Sequence, residues 1–197
     1  MNTEQLTLFA PAGQSKGLPN HLLEYTPSMI DQAASDRLLK HFIETTPWKQ
    51  SIQKLWDKEY LTPRLTCWYG KTEKIAGTLP WTPELQAIRE LVGPLAGIKF
   101  NTVLLNYYRD GNDSVAWHSD KESIMGSQPV IASVSFGQAR SFDIRSKADH
   151  TEKFSVRLEH GSCLLMKSGL QEQWEHRIAK STKPMKARIN LTFRLVI

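Results

Sequence analysis

The run ARINLTFRLVI (187–197) alternates polar and apolar residues with a period of two. A β-strand places residues i and i+2 on the same face. Arg188, Asn190, Thr192 and Arg194 therefore share one face, and Ile189, Leu191, Phe193 and Leu195 share the other. The apolar face packs. The other face carries two guanidinium groups, each able to grip a carboxylate through two parallel hydrogen bonds, so the pair suits a dicarboxylate. Five more runs share this texture: NTVLLNYY (101–108), VIASVSFG (130–137), RSFDIRS (140–146), KFSVRLEH (153–160) and SCLLMKS (162–168). Turn residues separate them, which marks short strands. Before Lys99 the period is helical. Ile30, Ala33, Ala34, Leu38, Leu39 and Phe42 predict a helix over 28–43, capped by Ser28 or Asp31. A second helix is predicted over 83–91, capped by Thr82 and ended by Gly93-Pro94. Two helices followed by many short strands predict an α+β protein whose second part is a sandwich or barrel.

With 197 residues the chain has room for one domain with a sizeable core. The stretch APAGQSKGLPN (10–20) reads as a loose arm, leaving a single domain over 21–197. No apolar run approaches the roughly 18 residues of a membrane span, and the start lacks the features of a secretory signal. A cytoplasmic, monomeric protein is the expectation, nucleoid-associated if the source is bacterial. Cys67 and Cys163 then read as buried thiols rather than a disulfide. Lys plus Arg number 25 against 20 for Asp plus Glu, and the resulting charge of +5 favours phosphate-bearing partners.

Val115-Ala116-Trp117-His118-Ser119-Asp120 sets an imidazole and a carboxylate two positions apart. On one strand face they offer a nitrogen and an oxygen ligand to the same ion. His176, expected between two late strands, supplies a third. Two His and one carboxylate make the facial triad of non-haem Fe(II) oxygenases, although zinc also accepts such a set. An H-x-D pair alone is commonplace. The arginine strand gives it weight, because a dicarboxylate co-substrate beside a metal is a specific combination. Asn106 and Tyr108 alternate on another strand and can donate hydrogen bonds to the same carboxylates.

The ordered set PRLTCWYG (63–70), LLNYYRDGND (104–113), WHSDKE (117–122), IASVSFGQARSF (131–142), HGSCLLM (160–166) and RINLTFR (188–194) resembles the AlkB family of Fe(II)/2-oxoglutarate dioxygenases, in particular its duplex-DNA repair branch. The resemblance implies a double-stranded β-helix (jelly-roll) core over about 99–197, N-terminal helices, and a nucleotide-recognition lid over about 45–82. It implies iron at His118, Asp120 and His176, and 2-oxoglutarate at Asn106, Tyr108, Arg188, Asn190, Thr192 and Arg194. The implied reaction uses Fe(II), 2-oxoglutarate and O2 to remove methyl groups from 1-methyladenine or 3-methylcytosine in DNA, releasing formaldehyde, succinate and CO2. A base in a duplex must be flipped out of the stack to react, and a methyl on its pairing edge makes that easier.

On the substrate side the resemblance points to Arg64, Tyr69 and Glu122 around the base. It points to Trp56, eight residues before Arg64, as a wedge filling the gap left by the flipped base. Lys71-Thr72-Glu73-Lys74 follows the Tyr-Gly pair where relatives carry an acidic residue and then aromatics, so the base-stacking partner stays open. Gln5-Leu6-Thr7-Leu8-Phe9 resembles the peptide by which bacterial proteins dock on the replication sliding clamp. Two alternatives stand beside DNA demethylation: an RNA demethylase on the same scaffold, and a non-catalytic nucleic-acid-binding module with a relic metal site.

Overall fold

The computed structural model describes residues 19, 21–55, 58–120 and 123–197. Strand β1 (Leu23–Thr26) leads into α1 (Gln32–Thr45), the hairpin β2 (Ile52–Leu55) and β3 (Lys58–Leu61), β4 (Leu65–Gly70) and α2 (Pro83–Ala96). The rest is almost wholly strand: β5 (Thr102–Tyr108), β6 (Val115–His118), β7 (Ile131–Gly137), β8 (Arg140–Ser146), β9 (Lys153–Leu158), β10 (Ser162–Met166), β11 (Trp174–Ile178) and β12 (Arg188–Arg194), with the one-turn helix α3 (Leu170–Gln173) before β11. A six-stranded sheet runs β1-β10-β7-β12-β5-β4 and a four-stranded sheet runs β6-β11-β8-β9. Neighbours in both are antiparallel. The two sheets pack face to face as the jelly-roll core.

Three layers follow from the period of two. Ile189, Leu191 and Phe193 of β12 are fully buried against α1 and α2, in a core that also takes Val103 and Leu105 of β5 and Leu85, Ile88 and Val92 of α2. Residues of opposite parity face the four-stranded sheet. There Ile131 and Leu164 meet Phe142, Ile144, Leu158 and Ile178 in a second core. Arg188, Asn190, Thr192 and Arg194 also face inward and are 1–8% exposed. The polar face of β12 is thus buried between two sheets. Cys67 and Cys163 are free, buried thiols, and burial pushes Cys163 up to about 12.

The details shift in four places. Helix α1 begins at Gln32, not Ser28, because Ser28 sits at φ +50 and Asp31 caps the helix by accepting from the Ala34 N–H at 2.8 Å. Helix α2 continues past Gly93-Pro94 to Ala96. Pro94 lies in its last turn, and the chain leaves the helix at Gly97 (φ +66), whose left-handed backbone suits a glycine cap. Leu195 is 36% exposed, since β12 pairing ends at Arg194, and Val196 is buried in its stead. The stretch 45–82 holds two unlike parts: the β2–β3 hairpin forms a sheet of its own, whereas β4 pairs with β5 along its whole length.

Candidate metal centre and co-substrate pocket

Strand β6 pairs with β11 so that His118 faces His176 directly. His176 therefore lies within a strand rather than between two. The imidazole centroids are 4.3 Å apart. Asp120 falls two residues past His118, just beyond β6, and its carboxylate turns back to within 3.5 Å of His118 Nε2. One ligand atom from each of the three residues lies within 4.8 Å of the other two. His118 Nδ1 lies 2.8 Å from the Ala116 carbonyl. A carbonyl only accepts, so Nδ1 carries the hydrogen and Nε2 presents its lone pair inward.

The electrostatics suit a cation. Burial works against the charged form of Asp120. The Arg194 guanidinium at 3.2 Å, aided by both imidazoles, nonetheless holds this carboxyl far below the usual range. Burial pushes His176 down to about 3, which keeps its imidazole neutral and its lone pair available. His176 stacks on Phe142 at 4.8 Å and is 5% exposed, whereas the His118 side chain is 35% exposed. The cluster thus has a closed side and an open side, and His118 stands at the opening.

Beside the triad lies a cavity of about 250 Å³. Arg188 lines it at 1% exposure. Its Nη2 donates to Ser135 Oγ at 3.0 Å, and the Tyr108 ring lies 5.1 Å from the guanidinium carbon. Nε and Nη1 are buried and meet no hydrogen-bond partner. Burial pushes the group down to about 10, well short of neutralising it near pH 7. A buried guanidinium with idle donors beside a cavity is costly unless an anion completes it. A carboxylate of a dicarboxylate co-substrate meets that demand, so the residues fit the group. Gly137 pairs with Arg188 across the β7–β12 ladder at φ +88. A Cβ there would meet the Ala187 carbonyl at 2.4 Å, so this close approach at the start of β12 requires glycine.

The other expected pocket residues divide. Asn106 and Tyr108 of β5 line the cavity, and Asn106 Oδ1 accepts from Arg64 Nε at 2.9 Å. Asn190 and Thr192 line it too. The Asn190 amide donates to Ser133 Oγ and the Val134 carbonyl and accepts from Thr192 Oγ1, so this pair makes the hydrogen-bonded floor. Tyr69 is not among the residues that line the cavity. It shares the helix-side face of β4 with Cys67 and is 6% exposed in that core, away from the cavity. Residues 64, 66 and 68 have the opposite parity. Trp68 is the inward aromatic, with the Arg194 guanidinium carbon 5.2 Å from its ring. Reading PRLTCWYG by alternation from Arg64 separates the two aromatics. Ser133, which lines the cavity, and Ser135, which accepts from Arg188, are small polar residues alternating within the apolar run of β7, a pattern visible in the sequence. Trp56, Glu122 and Gln5–Phe9 lie outside the described residues.

Comparison with known proteins adds an independent line. Residues 23–194 match the family model described as the 2OG-Fe(II) oxygenase superfamily. The chain is 38% identical over 184 residues to the Rattus norvegicus alpha-ketoglutarate-dependent dioxygenase alkB homolog 3, covering 86% of this chain and 62% of the relative. The Homo sapiens protein of that name is 36% identical, covering 86% and 64%. The Arabidopsis thaliana DNA oxidative demethylase ALKBH2 is 35% identical over 210 residues, covering 90% and 66%. The chain therefore spans a little under two-thirds of the length of these curated relatives. Among solved structures, OsALKBH1 superposes with a TM-score of 0.63 at 15% identity, covering 87% of this chain and 97% of that one, a likeness of fold.

Proposed function

The chain belongs to the 2OG-Fe(II) oxygenase superfamily and, within it, to the AlkB family, and from that premise we propose that it removes N-methyl groups from bases in DNA. The observation that carries the reading is the juxtaposition in one cavity of the His118/Asp120/His176 cluster and the idle donors of buried Arg188. His118, Asp120 and His176 would hold Fe(II). Arg188, with Tyr108 and Asn106, would hold 2-oxoglutarate. When bound, Fe(II) supplies O2 activation and the oxidising power that hydroxylates the methyl carbon. The balance is one methylated base, O2 and 2-oxoglutarate giving the unmethylated base, formaldehyde, succinate and CO2.

The chain's own residues do the rest. Arg188 fixes one end of the dicarboxylate and so its direction in the cavity. Phe142, Leu158 and Ile178 make the opposing wall apolar and keep water out. Arg194 holds the Asp120 carboxylate ionised. His118, at the open side, marks where a flipped base approaches, and Arg64 lines the same cavity from the β4–β5 side. The positive net charge suits a phosphate-bearing substrate. DNA is preferred over RNA because a relative named as a DNA oxidative demethylase matches across 90% of the chain.

The test is a panel of N-methylated and etheno-modified DNA and RNA oligonucleotides, single- and double-stranded, read by mass. Loss of methyl mass from DNA with Fe(II) and 2-oxoglutarate, abolished in His118→Ala, is expected. Turnover of RNA alone would replace DNA as substrate, and binding with no succinate release would make the protein a non-catalytic module. For Gln5–Phe9 the proposed partner is a bacterial-type sliding clamp. Pull-down should capture the wild type and not Leu8→Ala/Phe9→Ala, and equal capture would end that proposal. Among the described residues no helix is long and apolar enough to cross a membrane.

A further inference from the structure

The loop carrying Asp120 leaves β6 at His118, so strand pairing no longer holds it. Two side-chain bonds take over. Ser119 Oγ donates to the Trp174 carbonyl at 2.9 Å, and the Asp120 N–H donates to Gln171 Oε1 at 2.9 Å. Gln171 is 1% exposed. Its amide orientation follows from chemistry. A backbone N–H only donates, so the oxygen must face Asp120, which leaves Nε2 to donate to the Met166 thioether at 3.5 Å. Lys147 fastens the same segment, its Nζ donating to the Gln171 carbonyl at 2.7 Å and its backbone N–H to that of Gln173 at 2.9 Å. Helix α3 then runs straight into β11 and reaches His176. One short segment therefore bears one ligand of the triad and grips the main chain of another.

We propose that Gln171 is a positioning residue of the metal centre, setting the Asp120 main chain so that its carboxylate stays shared between the two imidazoles and Arg194. The reason is a competition. Arg194 draws the carboxylate from 3.2 Å, and with a loose main chain the carboxylate is free to settle on the guanidinium as a closed pair, leaving the metal two ligands. The bond from Gln171 fixes the Asp120 nitrogen and limits that travel. Groups that orient metal ligands from behind typically change metal affinity by about 10–100-fold when removed.

The inference rests on the triad binding a metal, so the experiment separates the two. Mn(II) is titrated into metal-free protein and free Mn(II) is read by its electron paramagnetic resonance signal. Wild type should bind and His118→Ala should not. Absence of wild-type binding overturns the metal reading, and this inference with it. Gln171→Leu fills the site without an acceptor, and Gln171→Asn is one methylene too short. Both should weaken Mn(II) binding about 10–100-fold. Gln171→Glu keeps an oxygen acceptor at the same reach and should stay within several-fold of wild type. A purely structural role would lower the Tm of these variants and leave Mn(II) affinity of the folded protein unchanged. Wild-type affinity in folded Leu and Asn variants overturns the proposal, as does a loss in the Glu variant equal to that in Leu. If the Leu variant does not fold, the Asn variant decides.

Discussion

Arg188 places a full charge where a stability-driven protein would place a methionine. Its guanidinium is 1% exposed, keeps Ser135 as a partner for one nitrogen, and has two nitrogens without any. Replacing a buried, poorly paired charge by an apolar group of similar volume is often neutral or stabilising by about 1–4 kcal/mol. Arg188→Met should therefore melt at or above the wild-type temperature without ligands, yet lose the rise in Tm that 2-oxoglutarate with Mn(II) gives the wild type. Differential scanning calorimetry with and without the pair checks both halves, and a variant that melts well below wild type would refute the trade of stability for function. The importance of Arg188 was legible in the sequence, because alternation along 187–197 puts both arginines on one face. The burial of that face was not. Alternation separates two faces but does not say whether water or a second sheet covers the polar one. For Tyr69 and Trp68, strict parity from Arg64 gives the face each one occupies, which motif position alone does not.

Strand β6 carries one ligand of the triad and leads to a second, and its backbone is paired on one side only. It lies at the edge of the four-stranded sheet, and its pairing with β11 is irregular between His176 and Ile178. The outer face compensates. The Trp117 ring lies 4.3 Å from the Arg145 and 4.5 Å from the Arg177 guanidinium carbon, and each arginine is anchored to a carboxylate, Glu175 and Asp143. At partly exposed sites such contacts contribute about 0.5–1 kcal/mol each. Trp117→Ala should lose about 1–2 kcal/mol and speed amide exchange through 115–118 while β12 stays protected, which hydrogen-exchange mass spectrometry resolves; unchanged exchange in β6 would mean the ladder alone suffices. The loop before β6 has its own clamp. Asp113 accepts from Arg109 Nε, Nη2 and the Arg109 backbone N–H, and Arg140 reaches the Asp113 carbonyl. Burial opposes ionisation of Asp113, but these bonds prevail and hold its carboxyl below the ordinary value. A depressed folded-state value adds stability that is present above about pH 4 and lost as the pH falls through the lower folded value. Asp113→Ala should be destabilised by about 1.5–3 kcal/mol at pH 7, the range for hydrogen bonds to a charged group, with the gap to wild type closing below pH 4 in urea titrations. A gap independent of pH would show that the ion pair is not its source. Arg109 and Asp113 are only four residues apart in one loop, but Arg140 comes from β8, and only the fold brings it to them.

At the scale of the whole molecule, the site is a seam between the two sheets. Arg188, Tyr108 and Asn106 belong to the six-stranded sheet, while His118 and His176 belong to the four-stranded one. A metal alone ties β6 to β11 within one sheet. A dicarboxylate gripped by Arg188 and in contact with the metal ties one sheet to the other. Stabilisation by the pair should therefore exceed the sum of the two ligands measured singly, since neither alone spans the seam. A ligand at about 100 times its Kd contributes about 2.7 kcal/mol, so a shift of several degrees is within reach of calorimetry. The decisive measurement is a cycle of Tm values for the metal-free protein, Mn(II) alone, 2-oxoglutarate alone, and both. Coupling should vanish in His118→Ala, which removes the metal end, and in Arg188→Met, which removes the other. Additive shifts in the wild type would mean that metal and dicarboxylate do not meet, and the cavity beside the triad would then be a neighbouring site rather than the co-substrate's.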